Sequence, residues 1–482
     1  MTDNYLADPK VQSKRWLILT AVGMFTFMST LDGSIVNIAL PTISKDLGIP
    51  MNQSEWVVSV YLIVICALLL FFGKLGDIVG KIRIFRIGTV LFILGSLFSG
   101  FNHGLSLLLA GRAVQAIGAA MTMSTNNGII TEVFPINERG KALGWIGSFV
   151  SLGSIAGPGI GGLILAKFYW GNIFWINVPV GILTMILGAF VLPKDISFVK
   201  TKIDWLGTVS FAVLIVGLFG GIFIGQDAGY QHWSVISLIV LAILALGIFI
   251  YHENRTTTPM LDFKIFKNVD FSLSLLTAFM IFVVNFVFNV ISPFYLQNAR
   301  GLAASTAGYL LMIFPVVQVL VAPVSGAISD RIGPESLTFF GLVFITASQV
   351  GYYLTNLQTP LWLFTAFVGL VGLGNGMFQA PNNTIVMSSV KRQDLGQAGG
   401  INSLARELGM IVGITFATTI LFSAMSHQLG QHVTTYLPKH PETFIYGMKV
   451  TFLISLALSL VATVLTGYRW FKGQAKKKAQ VH

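Results

Sequence analysis

Stretches of about 20 consecutive apolar residues recur along the whole chain, and each is long enough to cross roughly 30 Å of hydrocarbon as a helix. Backbone groups in lipid must bond to one another, so such stretches are helical. Strands of a membrane barrel would alternate apolar and polar residues, and these stretches do not. The 482 residues are 54% hydrophobic and only 10% charged, too little charge to coat a soluble protein of this size. The 50 glycines fall mostly inside the apolar stretches, where they let helices approach closely in a bilayer. The first stretch starts at Trp16 and extends to about Pro41. It exceeds a signal-peptide core and no small-residue cleavage site follows it, so it is expected to remain as a span. Cys66 is the single cysteine, which rules out an internal disulfide.

Fourteen spans are expected, at about 16–41, 56–73, 84–101, 105–129, 141–166, 172–192, 205–225, 234–251, 271–296, 306–328, 336–355, 361–387, 397–423 and 445–467. An even number places both termini on one side. With that side inside, 23 Lys and Arg fall on the cytoplasmic segments, 5 fall outside and 2, Arg112 and Arg406, lie within spans. The bias assigns both termini to the cytoplasm. The net charge of +11 then reflects cytoplasmic loops and anionic headgroups, not nucleic acid.

An octapeptide pattern occurs twice. Gly73-Lys-Leu-Gly-Asp77-Ile-Val-Gly80 follows the second span and Gly326-Ala-Ile-Ser-Asp330-Arg331-Ile-Gly333 follows the tenth. Both read G-x-x-x-D-x-x-G at the same end of a span, so the chain divides into two equivalent halves. The expected organisation is a six-helix half over residues 1–195, two additional helices with a linker over 196–262, and a second six-helix half over 263–482. Repeated halves commonly place a substrate site between them near the midplane.

Charges inside the spans point to chemistry. Asp32, in Leu31-Asp32-Gly-Ser-Ile-Val-Asn37-Ile-Ala-Leu-Pro41, is a carboxylate in an apolar helix. Burial disfavours the ionised form, so such a group can take up and release a proton near neutral pH. Arg112, in Gly111-Arg112-Ala-Val-Gln115-Ala-Ile-Gly118, lies at a matching depth in the fourth span. An isolated arginine there is costly, and Asp32 is its natural partner, directly or through Gln115. A permanent structural ion pair is the competing reading. Glu407 in the thirteenth span is a second intramembrane acid. Neighbouring positions on a helix point about 100° apart, so Arg406 is expected to be a poor partner for it.

The fifth span carries Gly153-Ser-Ile-Ala-Gly157-Pro158-Gly159-Ile-Gly161-Gly162. Proline removes a backbone donor and kinks a helix, and glycines on successive turns admit a close neighbour. In the loop after the second span, Gly73, Asp77 and Gly80 are followed by Lys81 and Arg83. Asp77 could cap the following helix or bind an arginine of the other half, a role in conformational control shared with Asp330 and Arg331. Asn37, Tyr61, Trp145, Asn285, Asn289, Gln379 and Asn382 lie within spans. Each alone fits helix packing, and together they suggest a greasy substrate cavity with scattered polar contacts. The histidines His427, His432 and His440 do not have metal-site spacing, and no phosphate-binding loop G-x-x-x-x-G-K-[ST] is present.

These motifs resemble the major facilitator superfamily, and within it the fourteen-span drug:proton antiporters, over nearly the whole chain. The resemblance implies an all-α polytopic fold of two six-helix halves plus two inserted helices. It implies a monomeric, multi-pass cell-membrane protein that is not an enzyme and needs no cofactor beyond the proton as coupling ion. The expected function is proton-coupled export of small hydrophobic or cationic compounds, as in antibiotic resistance. Asp32, Glu407 and Arg112 would couple the proton, and Gly157, Pro158 and Gly161 would form the antiporter signature. This chain departs from the family pattern at Ala116, where glycine is frequent, and at Ile82, where a basic residue is usual. Glu407 stands where relatives often carry glutamine. A lipid or lipid-conjugate exporter on the same fold is the alternative, with a proton-coupled nutrient symporter third.

Overall fold

The structure is a computed structural model and describes residues 5–101, 103–196, 203–256, 259–261, 263–390 and 395–481. A few side chains within these ranges, including those of Asp330 and Arg331, also lie outside the description, so their expected role has no side-chain account. Fourteen long helices are present among the described residues: α1 Pro9–Leu47, α2 Trp56–Val79, α3 Lys81–Ser99, α4 Leu105–Val133, α5 Ile136–Lys167, α6 Asn177–Val191, α7 Trp205–Ala228, α8 Trp233–Glu253, α9 Val269–Phe294, α10 Ala304–Ile332, α11 Pro334–Leu354, α12 Leu361–Ser388, α13 Leu395–Leu429 and α14 Pro441–Val481. Thirteen helical segments among the described residues are long and apolar enough to cross a membrane. α5 covers the remaining expected span. Short helices Met51–Ser54 and Asn172–Trp175 precede α2 and α6.

Local chemistry sets the helix ends. Asp8 accepts the Lys10 N–H ahead of α1, and Gly48 closes that helix at φ 63°, a conformation glycine adopts without strain. Asn268 accepts from the N–H groups of Asp270 and Phe271 at the start of α9. The N-terminus of α3 is capped from far along the chain: Asp195 accepts the N–H of Ile82 at 2.8 Å and of Arg83 at 2.9 Å. Of the two roles left open for Asp77, capping that helix thus falls to Asp195. Asp77 instead pairs with Lys81 at 2.7 Å, and Lys81 also reaches Glu132 at 2.7 Å. Gly80 sits at φ 114°, and a Cβ there would collide with the Asp195 carboxylate.

The chain forms two compact units, one of Met1–Ile49 with Gln53–Phe263 and one of Pro50–Asn52 with Lys264–His482. In the first, α1 packs on α5 and α6, α4 packs on α2 and α3, and α3 packs on α6. The second repeats this scheme: α9 packs on α13 and α14, α12 on α10 and α11, and α11 on α14. The duplication reaches individual residues. Where α3 crosses α4, a Cβ on Gly88 would strike the Gly118 carbonyl and a Cβ on Gly118 the Gly88 carbonyl. Where α11 crosses α12, Gly341 and Gly374 stand in the same reciprocal relation. Such backbone approach is a small-residue packing device of bilayer helices.

α7 and α8 pack on each other within the first unit, and α7 also lies on α2. Trp56 meets Phe223 at 5.1 Å between ring centroids, and Phe71 meets Trp205 at 5.8 Å. His252 and Asp204, 2.8 Å apart, tie one end of α7 to one end of α8. α8 leaves Ile236, Val240, Leu241, Ile243 and Leu244 exposed, a surface suited to lipid chains.

Candidate functional site

Asp32 lies in mid-helix on α1, and five other segments of the first unit converge on it. Arg112 and Gln115 are one turn apart on α4 and therefore share a face. Arg112 donates from Nη1 to Asp32 Oδ2 at 2.5 Å and to Gln115 Oε1 at 2.6 Å. Its Nε donates to the Val57 carbonyl, in the first turn of α2, at 2.8 Å. Gln115 Nε2 donates to Asp32 Oδ1 at 2.9 Å and to Ser96 Oγ of α3 at 2.8 Å. Asn177, the first residue of α6, donates to the same Asp32 oxygen at 2.7 Å. Aromatic rings flank the guanidinium: the Tyr61 centroid is 4.2 Å from Cζ and that of Phe174, in the short helix before α6, is 5.5 Å away.

Asp32, Arg112, Gln115 and Asn177 are each fully buried. An ion pair withdrawn from water stands only if further donors and acceptors replace the lost hydration. Here the carboxylate accepts from three side chains. The guanidinium has the acid, an amide oxygen, a backbone carbonyl and a ring face. Its Nη2 has no hydrogen-bond partner among the described residues. The pair is thus well supported but not saturated. A proton arriving at Oδ2 would compete with Arg112 for that oxygen, while both amide donors could keep their bonds to Oδ1.

The glycine motif of α5 seats that helix directly on α1. A Cβ on Gly157 would land on Ser34 Oγ, and Cβ atoms on Gly153 and Gly161 would press on Leu31 and Ile35. Ser34 Oγ also donates to the Gly153 carbonyl at 3.2 Å. Pro158 lies inside α5 at this contact. Nothing larger than glycine fits at position 157, whose contact Ser34 lies two residues along α1 from Asp32.

The second unit holds its own polar line. Asn285 of α9 and Asn375 of α12 exchange hydrogen bonds at 2.7 and 3.0 Å. Gln379 donates to Asn375 Oδ1 and accepts from Gln318, both at 3.2 Å. Asn289, one turn from Asn285, is half-buried. Asn382 donates to the Ser274 carbonyl at 3.1 Å. Glu407 is buried, and Arg406 folds back onto its Oε1 from Nη2 at 3.1 Å and Nε at 3.2 Å. This corrects the expectation that Arg406 is a poor partner for Glu407: the helix fixes Cβ directions, but the long arginine stem bends back past them.

The structure therefore brings Asp32, Arg112 and Gln115 together and adds Asn177, Ser96 and Phe174, which sequence reasoning missed. A lone amide or hydroxyl in an apolar stretch gives no sign of its partner. Tyr61, expected in a substrate cavity, faces the guanidinium. Asn37 donates to the Gly33 carbonyl of its own helix at 3.0 Å. Trp145 is 52% exposed. Among the described residues, no cluster of His, Cys, Asp or Glu could hold a metal ion.

Comparison with known proteins gives this arrangement its context. Residues 22–414 match the family model described as Major Facilitator Superfamily. The chain is 32% identical over 455 residues to the riboflavin transporter RibZ of Clostridioides difficile, covering 94% of this chain and 97% of that protein. It is 26% identical over 494 aligned positions to the multidrug resistance protein Stp of Mycobacterium tuberculosis, covering 94% and 92% respectively. A crystal structure of the peptide transporter POT in complex with sulfate superposes with a TM-score of 0.65 at 16% identity, covering 93% of this chain and 94% of that one. That last likeness speaks to the fold alone. The chain is a multi-pass membrane transporter of the major facilitator superfamily, a non-enzymatic family that needs no cofactor.

Proposed function

We propose that this transporter is a proton-coupled antiporter that exports small hydrophobic or cationic compounds by alternating access. The observation that carries the reading is the fully buried Asp32, bonded to Arg112, Gln115 and Asn177. An acid so placed binds a proton only by giving up part of its hold on Arg112, so proton occupancy and helix arrangement are linked. Coupling requires that proton and cargo each prefer a different state of the protein; equal affinity for both states would shift nothing. The drug-resistance relative supports export as the direction of transport. Both termini are assigned to the cytoplasmic face of the cell membrane on the Lys and Arg bias, with the chain acting as a monomer. Asp77, with Lys81 and Glu132, is assigned to conformational control, and Glu407 with Arg406 to a second coupling position.

The test is ethidium efflux from proteoliposomes under an imposed pH gradient, comparing wild type with Asp32→Asn and Glu407→Gln. Gradient-driven efflux is expected in wild type and lost in Asp32→Asn. Unchanged efflux in both variants would refute the coupling assignment. A second reading is favoured by the 32% identity to a protein named as a riboflavin transporter: the cargo is a flavin-like fused-ring compound. Riboflavin replaces ethidium in the same vesicles to decide between them.

A further inference from the structure

Glu55 lies between the short helix Met51–Ser54 and α2, at the N-cap position of α2. Its backbone is helical at φ −60° and ψ −25°, and its carbonyl accepts from Val58 N–H at 3.1 Å and Ser59 N–H at 2.9 Å. The side chain makes no capping bond. It is 0% exposed, and neither carboxyl oxygen has a hydrogen-bond partner among the described residues. Among the described residues, no charged side chain bears on it. Of the helices packed on α2, α4 brings Arg112 to the Val57 carbonyl two residues further on, but that guanidinium is committed to Asp32. Asp227, near the end of α7, lies outside the described side chains.

Among the described residues, the other acids of the first unit with buried side chains are all engaged. Asp32 accepts from three side chains, Asp204 meets His252, and Glu253 accepts the Leu261 N–H. Glu55 alone among these has no bond that the fold requires. One turn along the same face of α2, Ser59 Oγ is also buried without a partner. An ionised carboxylate in this position would carry a desolvation penalty of several kcal/mol with nothing to offset it. A neutral acid avoids that penalty. The setting also favours the opposite state once wet, because the first turn of a helix presents N–H groups and partial positive charge to an anion.

We propose that Glu55 is a further proton-binding site of this transporter, beside Asp32 and Glu407, neutral while the start of α2 is dry and ionised when that turn meets water. The proposal rests on the proton-coupled reading above and adds one acid to it. It places this proton at the start of α2, two residues from the Val57 carbonyl that holds Arg112, so the Asp32 and Glu55 sites meet on one stretch of helix.

The test uses full-length protein in nanodiscs and infrared difference spectra across a pH titration, with Glu55→Gln and Glu55→Asp beside Asp32→Asn. Glutamine matches the neutral acid in shape and should fold normally. Glu55→Gln should lose a carboxylic-acid carbonyl band that Asp32→Asn retains and Glu55→Asp shifts. In vesicles, Glu55→Gln should lower gradient-driven ethidium efflux about tenfold, equal to about 1.4 kcal/mol, while exchange without a gradient persists. If Glu55→Gln removes no band, or leaves the pH profile of efflux unmoved, the proposal is overturned. Failure of the underlying reading looks different: wild-type efflux would then ignore the gradient while the Glu55 band still titrated.

Discussion

Replacing Asp32 with asparagine changes the charge of the buried network and almost nothing of its shape. The Oδ1 atom can still accept from Gln115 and Asn177, now at 2.9 and 2.7 Å. The amide nitrogen, however, takes the place of Oδ2 and faces Arg112 Nη1 donor to donor. Removing one member of a buried ion pair typically costs about 3–5 kcal/mol, because the other charge is left uncompensated. Arg112 keeps the Gln115 oxygen, the Val57 carbonyl and the Tyr61 ring. A ring face contributes about 0.5–2 kcal/mol, so the loss should fall near the lower end, about 3 kcal/mol. Arg112→Leu should also destabilise, but the double variant should cost less than the two single losses added together, with a coupling energy of about 2 kcal/mol. The assay is reversible unfolding of the detergent-solubilised protein, followed by tryptophan fluorescence. Additive single and double variants, or an Asp32→Asn protein within about 0.5 kcal/mol of wild type, would show that the pair does not hold the first unit as described.

Asn177→Ala should lower stability by about 1–2 kcal/mol through the lost bond to Asp32, read in the same unfolding assay. Asp195→Ala should weaken the start of α3 by about 1 kcal/mol, and Asp77→Ala should leave it unaffected; amide exchange at Ile82 and Arg83 separates the two. Gly157→Ala should impair folding by collision with Ser34 Oγ, and Ser34→Gly in the same chain should restore much of the loss, measured as the folded yield in detergent. Asn285→Leu should cost about 1–3 kcal/mol by removing the two bonds it exchanges with Asn375, and adding Asn375→Leu should recover part of it.

The helices were legible because lipid allows few alternatives. The expected span 361–387 became Leu361–Ser388, and 205–225 became Trp205–Ala228. The meeting of Asp32 and Arg112 was legible for the same reason: two opposite charges at one depth in oil must find partners. Asn177 and Ser96 carry no such obligation, since an uncharged polar group can be satisfied by its own helix, as Asn37 is by Gly33. Asp195 was illegible as the cap of α3 because it arrives from 112 or more residues away. Arg406 was misjudged because spacing rules describe where side chains start, not where a long flexible one ends.

Every group that holds Asp32 belongs to the same compact unit as Asp32 itself. If that unit swung as one solid piece, the acid would keep every one of those bonds. The bonds themselves change only when a proton lands on the acid or when the unit flexes internally. Interior prolines lower the resistance to bending at Pro41 of α1 and Pro158 of α5, on the two helices locked by Ser34 and Gly157. Under the proton-coupled reading, the give that answers this acid is sought inside the first unit, on the two proline-bearing helices.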